Sequence, residues 1–190
     1  MQVLKKEIQE SIVNAAAQLF YNQGFEETST RQIAAEVQIS VSNLYKYFTN
    51  KEDIFNEVVR EYYTSYLANF RKFISHKDED TFDAGGNATL TQALFTSIKT
   101  DHTKFVILMD KSRGTKYAGF RDEIVTLLYK HILKKIGESG RQEYVIKVLV
   151  SNFFQGIVEI ARNYRNDKWA QKNIDLLVKY HMNGIASLYD

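Results

Sequence analysis

The side chains of this 190-residue chain that are equipped for chemistry bind rather than react. Lys5, Lys6, Arg31, Lys46 and Lys51 sit in its N-terminal third. Ammonium and guanidinium groups on one face meet phosphate, and the free N–H groups of helix starts favour the same anion. Nothing comparable supports catalysis. His76, His102, His131 and His181 occur singly, with no His-Glu-x-x-His zinc helix, Gly-x-Ser-x-Gly elbow or phosphate-binding glycine loop. Gly137-Glu-Ser-Gly-Arg141 has glycines but lacks P-loop spacing, and Asp122-Glu123 reads as solvated charge. The absence of Cys excludes disulfides, thiolate zinc sites and a cysteine nucleophile. We therefore expect no enzyme, no metal site and no cofactor.

The elements that must carry the cations are two short helices on a longer one. Ile8, Ile12, Ala15, Ala16, Leu19 and Phe20 follow the helical period, and Gly24 falls where a left-handed C′ residue would end that helix. Phe25 is expected to fold back as the hydrophobic contact of a Schellman end. Ser29 with Gln32 forms a capping box ahead of Ile33, Ala34 and Val37. Ser40 is the next N-cap, with Leu44 and Phe48 as the buried pair and Val41, Ser42, Tyr45 and Lys46 pointing elsewhere. Two capped helices in such quick succession are a helix-turn-helix, which points to double-stranded DNA.

The span from Ile8 to Phe55 resembles the DNA-binding domain of TetR (tetracycline repressor) family transcription regulators. The family's pattern is met by Ala15-Ala16, Leu19-Phe20, Gly24-Phe25, Thr28-Ser29, Ile33-Ala34, Ile39-Ser40, Leu44-Tyr45-Lys46-Tyr47-Phe48 and Lys51. It departs at Gln38 and Ser42, where the family often has Gly, so Gln38 must take a strained or different turn. The resemblance implies that Val41, Ser42 and Tyr45 meet base edges. Arg31 is then the candidate for a bidentate contact to guanine. Thr30, Asn43, Lys46, Tyr47 and Lys51 fall where the family holds phosphates, fixing register without reading sequence. Charge does not help by quantity. From Met1 to Arg60 there are six basic and eight acidic side chains, so placement must act, with modest nonspecific affinity and a shallow salt dependence.

Beyond the motif the chain reads as all-α. It is 44% hydrophobic and 25% charged with no Pro, which suits a globular protein with an ample core. No N-terminal apolar run and no run near the ~18 residues needed to cross a bilayer is evident, so no membrane partner and a cytoplasmic location are expected. Residues 1–50 form the expected DNA-binding domain and residues 51–190 a helical ligand-binding and dimerisation domain. Asn50 caps a long joining helix that runs to about Ser75, spanning about 36 Å. His76 to Ala88, with Gly85-Gly86, reads as a polar connection. Helices follow at about Leu90–Thr100, Thr103–Lys111, Lys116–Ile136, Gln142–Tyr164 and Ala170–Tyr189, parted by Gly114, by Gly137 to Gly140 and by Asn166-Asp167.

The last two helices have broad, largely apolar faces: Tyr144, Val145, Val148, Leu149, Asn152, Phe153, Gly156, Ile160 and Tyr164 on one, Trp169, Ile174, Leu177, Val178, His181, Ile185 and Leu188 on the other. Two copies would bury them in a four-helix bundle, as the resemblance implies for a homodimer; otherwise they complete a monomer core. A two-fold dimer would set its reading helices roughly 34–36 Å apart, or a multiple of that, on a palindromic operator. The second domain is rich in aromatics, of which Tyr66, Phe70, Phe95, Phe105, Tyr117, Phe120 and Phe153 are candidate contacts for a ligand, most simply a mostly apolar one. The resemblance implies a repressor released by a small-molecule effector. A helical interaction module that has lost specific DNA binding is the alternative.

Overall fold

The structure, a computed structural model, describes residues 2–75, 84–136 and 143–187. Among these there are eight helices and no strand: α1 (Gln2–Glu27), α2 (Thr30–Glu36), α3 (Val41–Leu44), α4 (Lys51–Ser75), α5 (Ala84–Asp110), α6 (Phe120–Ile136), α7 (Glu143–Arg162) and α8 (Asp167–Ala186). Most of the expected connection from His76, the turn at Gly137 to Gly140, and Leu188 and Tyr189 lie outside the described residues. The all-α reading holds, and α4 ends at Ser75 as its apolar row predicts.

Local chemistry sets most boundaries. Ser29 Oγ accepts from the Gln32 amide at 3.2 Å while Gln32 Oε1 accepts from the Ser29 N–H at 2.8 Å, so the capping box forms as its residues require. Asn50 Oδ1 accepts from the Asp53 N–H at 2.8 Å and starts α4. Near its centre α5 is broken at Asp101, which leaves helical geometry (φ −166°, ψ 88°) and uses Oδ1 to cap the Lys104 amide. The break matches the two separate helices expected there. Four residues before the break, the Tyr62 hydroxyl donates to the Ser97 carbonyl at 2.7 Å.

Four boundaries differ from the expectation. α5 starts at Ala84, so Gly85-Gly86 belong to a helix rather than to the connection. α6 begins at Phe120 rather than Lys116, because Ser112 and Thr115 hydroxyls take over the backbone between: Ser112 Oγ donates to the Tyr117 carbonyl, and Thr115 Oγ1 accepts from the Tyr117 N–H. α8 begins at Asp167, three residues early, since Asn166 Oδ1 caps the Trp169 amide. The Schellman end of α1 is absent. Gly24 does take a positive φ of 85°, but with ψ 170° it turns the chain outward, and the Phe25 N–H donates to the Lys111 carbonyl at the end of α5.

One apolar core runs from head to body. Phe20, fully buried, packs 5.1 Å from Phe55, and Phe55 lies 5.9 Å from Tyr117 in the α5–α6 connector. Burying each such ring contributes about 2–3 kcal/mol. Phe55 of α4 thus packs on the N-terminal head and on the body at once, and α1 contacts both α4 and α5. α5 is the central element, in contact with α1, α4, α6, α7 and α8.

α7 corrects the expectation about apolar runs: its 20 residues are long and apolar enough to cross a membrane by length and composition. Its packing gives another reason for that composition. Ile146, Val150, Phe153, Phe154, Ile157, Val158 and Ala161 are buried against neighbouring helices, and Arg162 at its end reaches Asp110 at 2.5 Å.

Candidate nucleic-acid interface

Leu44 and Phe48 anchor the second helix of the motif, at 0% and 7% exposure. α3 itself is a single α turn, tightened beyond Leu44 by bonds from Lys46 to the Asn43 carbonyl and from Tyr47 to the Leu44 carbonyl. Ser40 Oγ caps it by accepting from the Asn43 amide at 3.2 Å and lies 2.9 Å from Ser42 Oγ. With the anchors inward, Ser42, Tyr45 and Lys46 are exposed. Val41, Asn43 and Tyr47 are half-buried, Val41 and Tyr47 against the core. Tyr45 Oη lies 3.3 Å from Thr30 Oγ1, which joins the end of α3 to the start of α2 and brings exposed Arg31 beside it. Gln38 supplies the turn with φ 55°, the left-handed conformation that its non-Gly identity made awkward.

Pairing decides which cations of the head remain available. Lys6 pairs with Glu10 and Arg60 with Glu57. The side chains of Lys5, Arg31 and Lys46 make no ion pair or hydrogen bond with described residues. Lys51 is different from its expected role. Its Nζ donates to the carbonyls of Phe25 at 2.6 Å and Thr28 at 2.7 Å, reaches that of Glu26 at 3.4 Å, and sits 4.1 Å from the centre of the Phe25 ring. Burial pulls its pKa below the usual lysine value, opposed by the Glu26 and Glu27 carboxylates. An ammonium so enclosed closes the end of α1 and has no donor left for phosphate.

In the body, a cavity of about 830 Å³ opens between α4 and α5, lined among others by Tyr62, Tyr66, Phe70, Phe73, Leu90 and Leu94. Of the candidate ligand contacts, only Tyr66 and Phe70 line it. Phe95, Phe105, Tyr117, Phe120 and Phe153 are buried elsewhere in the core, where each packs on protein. Tyr62 and Phe73 are the aromatics at this cavity outside that set. Their helical spacing from Tyr66 and Phe70 is the signal that finds them.

The outer face of the last two helices is also rearranged. Phe153, Ile174, Val178, His181 and Ile185 belong to the core of one chain. The large apolar side chains that remain exposed are Tyr144, Val145 and Val148 on α7 with Leu176 and Tyr180 on α8, at 80, 44, 40, 55 and 75%. Leu176 and Tyr180, four apart on α8, escape a reading that follows its inward row. At Gly156 the two helices meet so closely that a Cβ would stand 2.8 Å from Leu177 Cδ2.

Comparison with known proteins agrees with this geometry. Residues 12–58 match the family model described as bacterial regulatory proteins, tetR family. The chain is 32% identical over 63 residues to the probable HTH-type transcriptional regulator YttP of Bacillus subtilis (strain 168), covering 33% of this chain and 30% of that protein. It is 26% identical over 104 residues to the HTH-type transcriptional repressor KstR2 of Mycolicibacterium smegmatis (strain ATCC 700084 / mc(2)155), covering 55% and 49%. It thus matches about a third of the first relative's length and half of the second's. A solved TetR-like transcriptional regulator from Rhodococcus sp. RHA1 superposes with a TM-score of 0.62 at 17% identity, over 94% of this chain and 96% of that one, and so shares its fold. Residues 12–58 are thus similar in sequence to the DNA-binding domain of tetR-family bacterial regulatory proteins, and the chain as a whole shares the fold of a TetR-like regulator.

Proposed function

We propose that this chain is a sequence-specific DNA-binding transcriptional repressor that works in the cytoplasm as a homodimer and leaves its palindromic operator when a small molecule occupies its body. One observation carries the reading: a doubly capped α2–α3 pair presents Arg31, Ser42, Tyr45 and Lys46 outward while Leu44 and Phe48 hold it from within. Arg31 reads a guanine, Ser42 and Tyr45 contact base edges, and Lys46 with Thr30 and Asn43 holds phosphate. Val41 and Tyr47, half-buried, shape the surface more than they read it. The family match over residues 12–58 and the repressor named among the relatives support this assignment. The exposed apolar side chains of α7 and α8 supply the dimer face, since several large ones on two neighbouring helices mark a protein contact.

Release follows from the way head and body are joined. The α5–α6 connector docks on the end of α1 through Phe25 N–H to the Lys111 carbonyl and through Arg113 to Glu26 at 3.2 Å. It also docks on α4, with Tyr117 bonded to Asn56. A ligand that moves α4 against α5 shifts the heads by no more than its differential affinity for the two arrangements. Selection from a random duplex library at low salt tests the reading: enrichment of a palindrome supports it, and no enrichment leaves the interaction module without DNA. The acidic balance of the first sixty residues is what favours that second reading.

A further inference from the structure

We propose that the α4–α5 cavity takes an uncharged, mostly apolar molecule whose carbonyl-type oxygen accepts a hydrogen bond from the Tyr66 hydroxyl. The proposal rests on the effector reading above only for its effect on DNA; binding itself is argued from the cavity. None of the described residues lining it is charged. An ionised carboxylate or ammonium would therefore leave water without a counter-charge, which a site of this kind disfavours strongly. A volume of about 830 Å³ suits a molecule of drug or medium-chain size.

Most of the neutral polar groups around the cavity are committed to the protein. The Tyr62 hydroxyl donates to the Ser97 carbonyl, Ser65 Oγ to the Tyr62 carbonyl, Ser97 Oγ to the Ala93 carbonyl and Thr100 Oγ1 to the Thr96 carbonyl. Gln92 reaches Thr96 Oγ1 from the exposed side. Asn69 and Thr89 make no side-chain bond with described residues but are exposed to water, so Tyr66 is the one buried exception. It is 5% exposed, its ring packs against Phe70, Phe105 and Phe120, and its hydroxyl has no hydrogen-bond partner among the described residues. Among those residues only Thr91 Oγ1 is both fully enclosed and unpaired, so the Tyr66 oxygen touches the open volume that its residue lines. Burial raises the pKa of this phenol, which keeps it a neutral donor. The hydroxyl thus offers the cavity a donor that no described residue uses, and a ligand oxygen can accept from it.

The test uses the full chain, 2-undecanone, undecanoate at pH 8 and the neutral fluorophore N-phenyl-1-naphthylamine as reporter. The ketone is expected to displace the reporter at concentrations about 10-fold or more below those needed by undecanoate. Tyr66→Phe should raise the ketone concentration required by about 3–10-fold. Because the hydroxyl has no partner among the described residues, the same substitution should leave reporter affinity and Tm unchanged. Failure of the reporter to bind, equal displacement by undecanoate, an unchanged ketone affinity in Tyr66→Phe, or a drop of several degrees in its Tm would each overturn the proposal. A gel shift with ketone separates the two readings: bound ketone without a change in DNA affinity ends the effector role and leaves the cavity assignment standing.

Discussion

An ammonium whose donors are taken by backbone carbonyls cannot also hold a phosphate, and Lys51 is in that position. Lys51→Met is therefore expected to lower unfolding stability by about 1–3 kcal/mol in urea, by orphaning the Phe25 and Thr28 carbonyls. The salt dependence of DNA binding by the folded variant should stay as it was. A lysine held on phosphate would give the reverse, a salt slope reduced by about 1 per contact with stability intact. Gln38 offers a second residue-scale test. With φ 55° it bears a left-handed strain that glycine does not, so Gln38→Gly should raise the thermal midpoint through a gain of about 1 kcal/mol. The two residues also differ in how far sequence exposes them. Gln38 is legible because a turn between two caps needs a particular backbone whatever surrounds it. Lys51 is not, because which side of the first turn of α4 faces the end of α1 is fixed only by tertiary packing.

At the scale of elements, the caps were readable and the connections between elements were not. Ser29, Ser40 and Asn50 each satisfy amides within three residues of themselves, so their helices start where the local pattern places them. The end of α1 and the start of α6 depend instead on each other. Gly114 takes φ 83°, and a Cβ there would lie 3.1 Å from Glu26 Cγ and 3.4 Å from Phe25 Cδ1. Two segments nearly ninety residues apart thus decide how Gly24 and Phe25 leave their helix, which no local rule can foresee. Gly114→Ala is expected to cost about 1–2 kcal/mol in chemical denaturation, since it adds backbone strain to a tight head–body contact. The same substitution should also loosen the coupling between a body ligand and DNA. A variant as stable as the parent would show that this junction is slack.

At the scale of the molecule, the helical periods of α7 and α8 predict a wider exposed apolar face than the structure leaves open. Apolar side chains for the core and for a second copy follow the same period, and only burial in one chain separates Ile174 and Val178 from Leu176 and Tyr180. Leu176→Glu with Tyr180→Glu leaves the core untouched, so the double variant should keep its helical signal while sedimenting as a monomer. DNA affinity should then fall by at least about 100-fold, because two linked heads bind far more tightly than one. Retention of the parent's sedimentation would move the dimer face elsewhere. The cavity between α4 and α5 was legible only as a wealth of aromatics, since cavity and core use the same side chains and differ in what the fold leaves unfilled.

The most direct measurement of the central claim, that paired α2–α3 surfaces read a major groove, is guanine methylation interference on the selected duplex with the parent and Arg31→Ala. Interference is predicted at symmetric guanines in two half-sites one helical turn or a multiple apart, with one guanine per half-site becoming silent in Arg31→Ala. Interference confined to a single patch, or an identical pattern for both proteins, would contradict it.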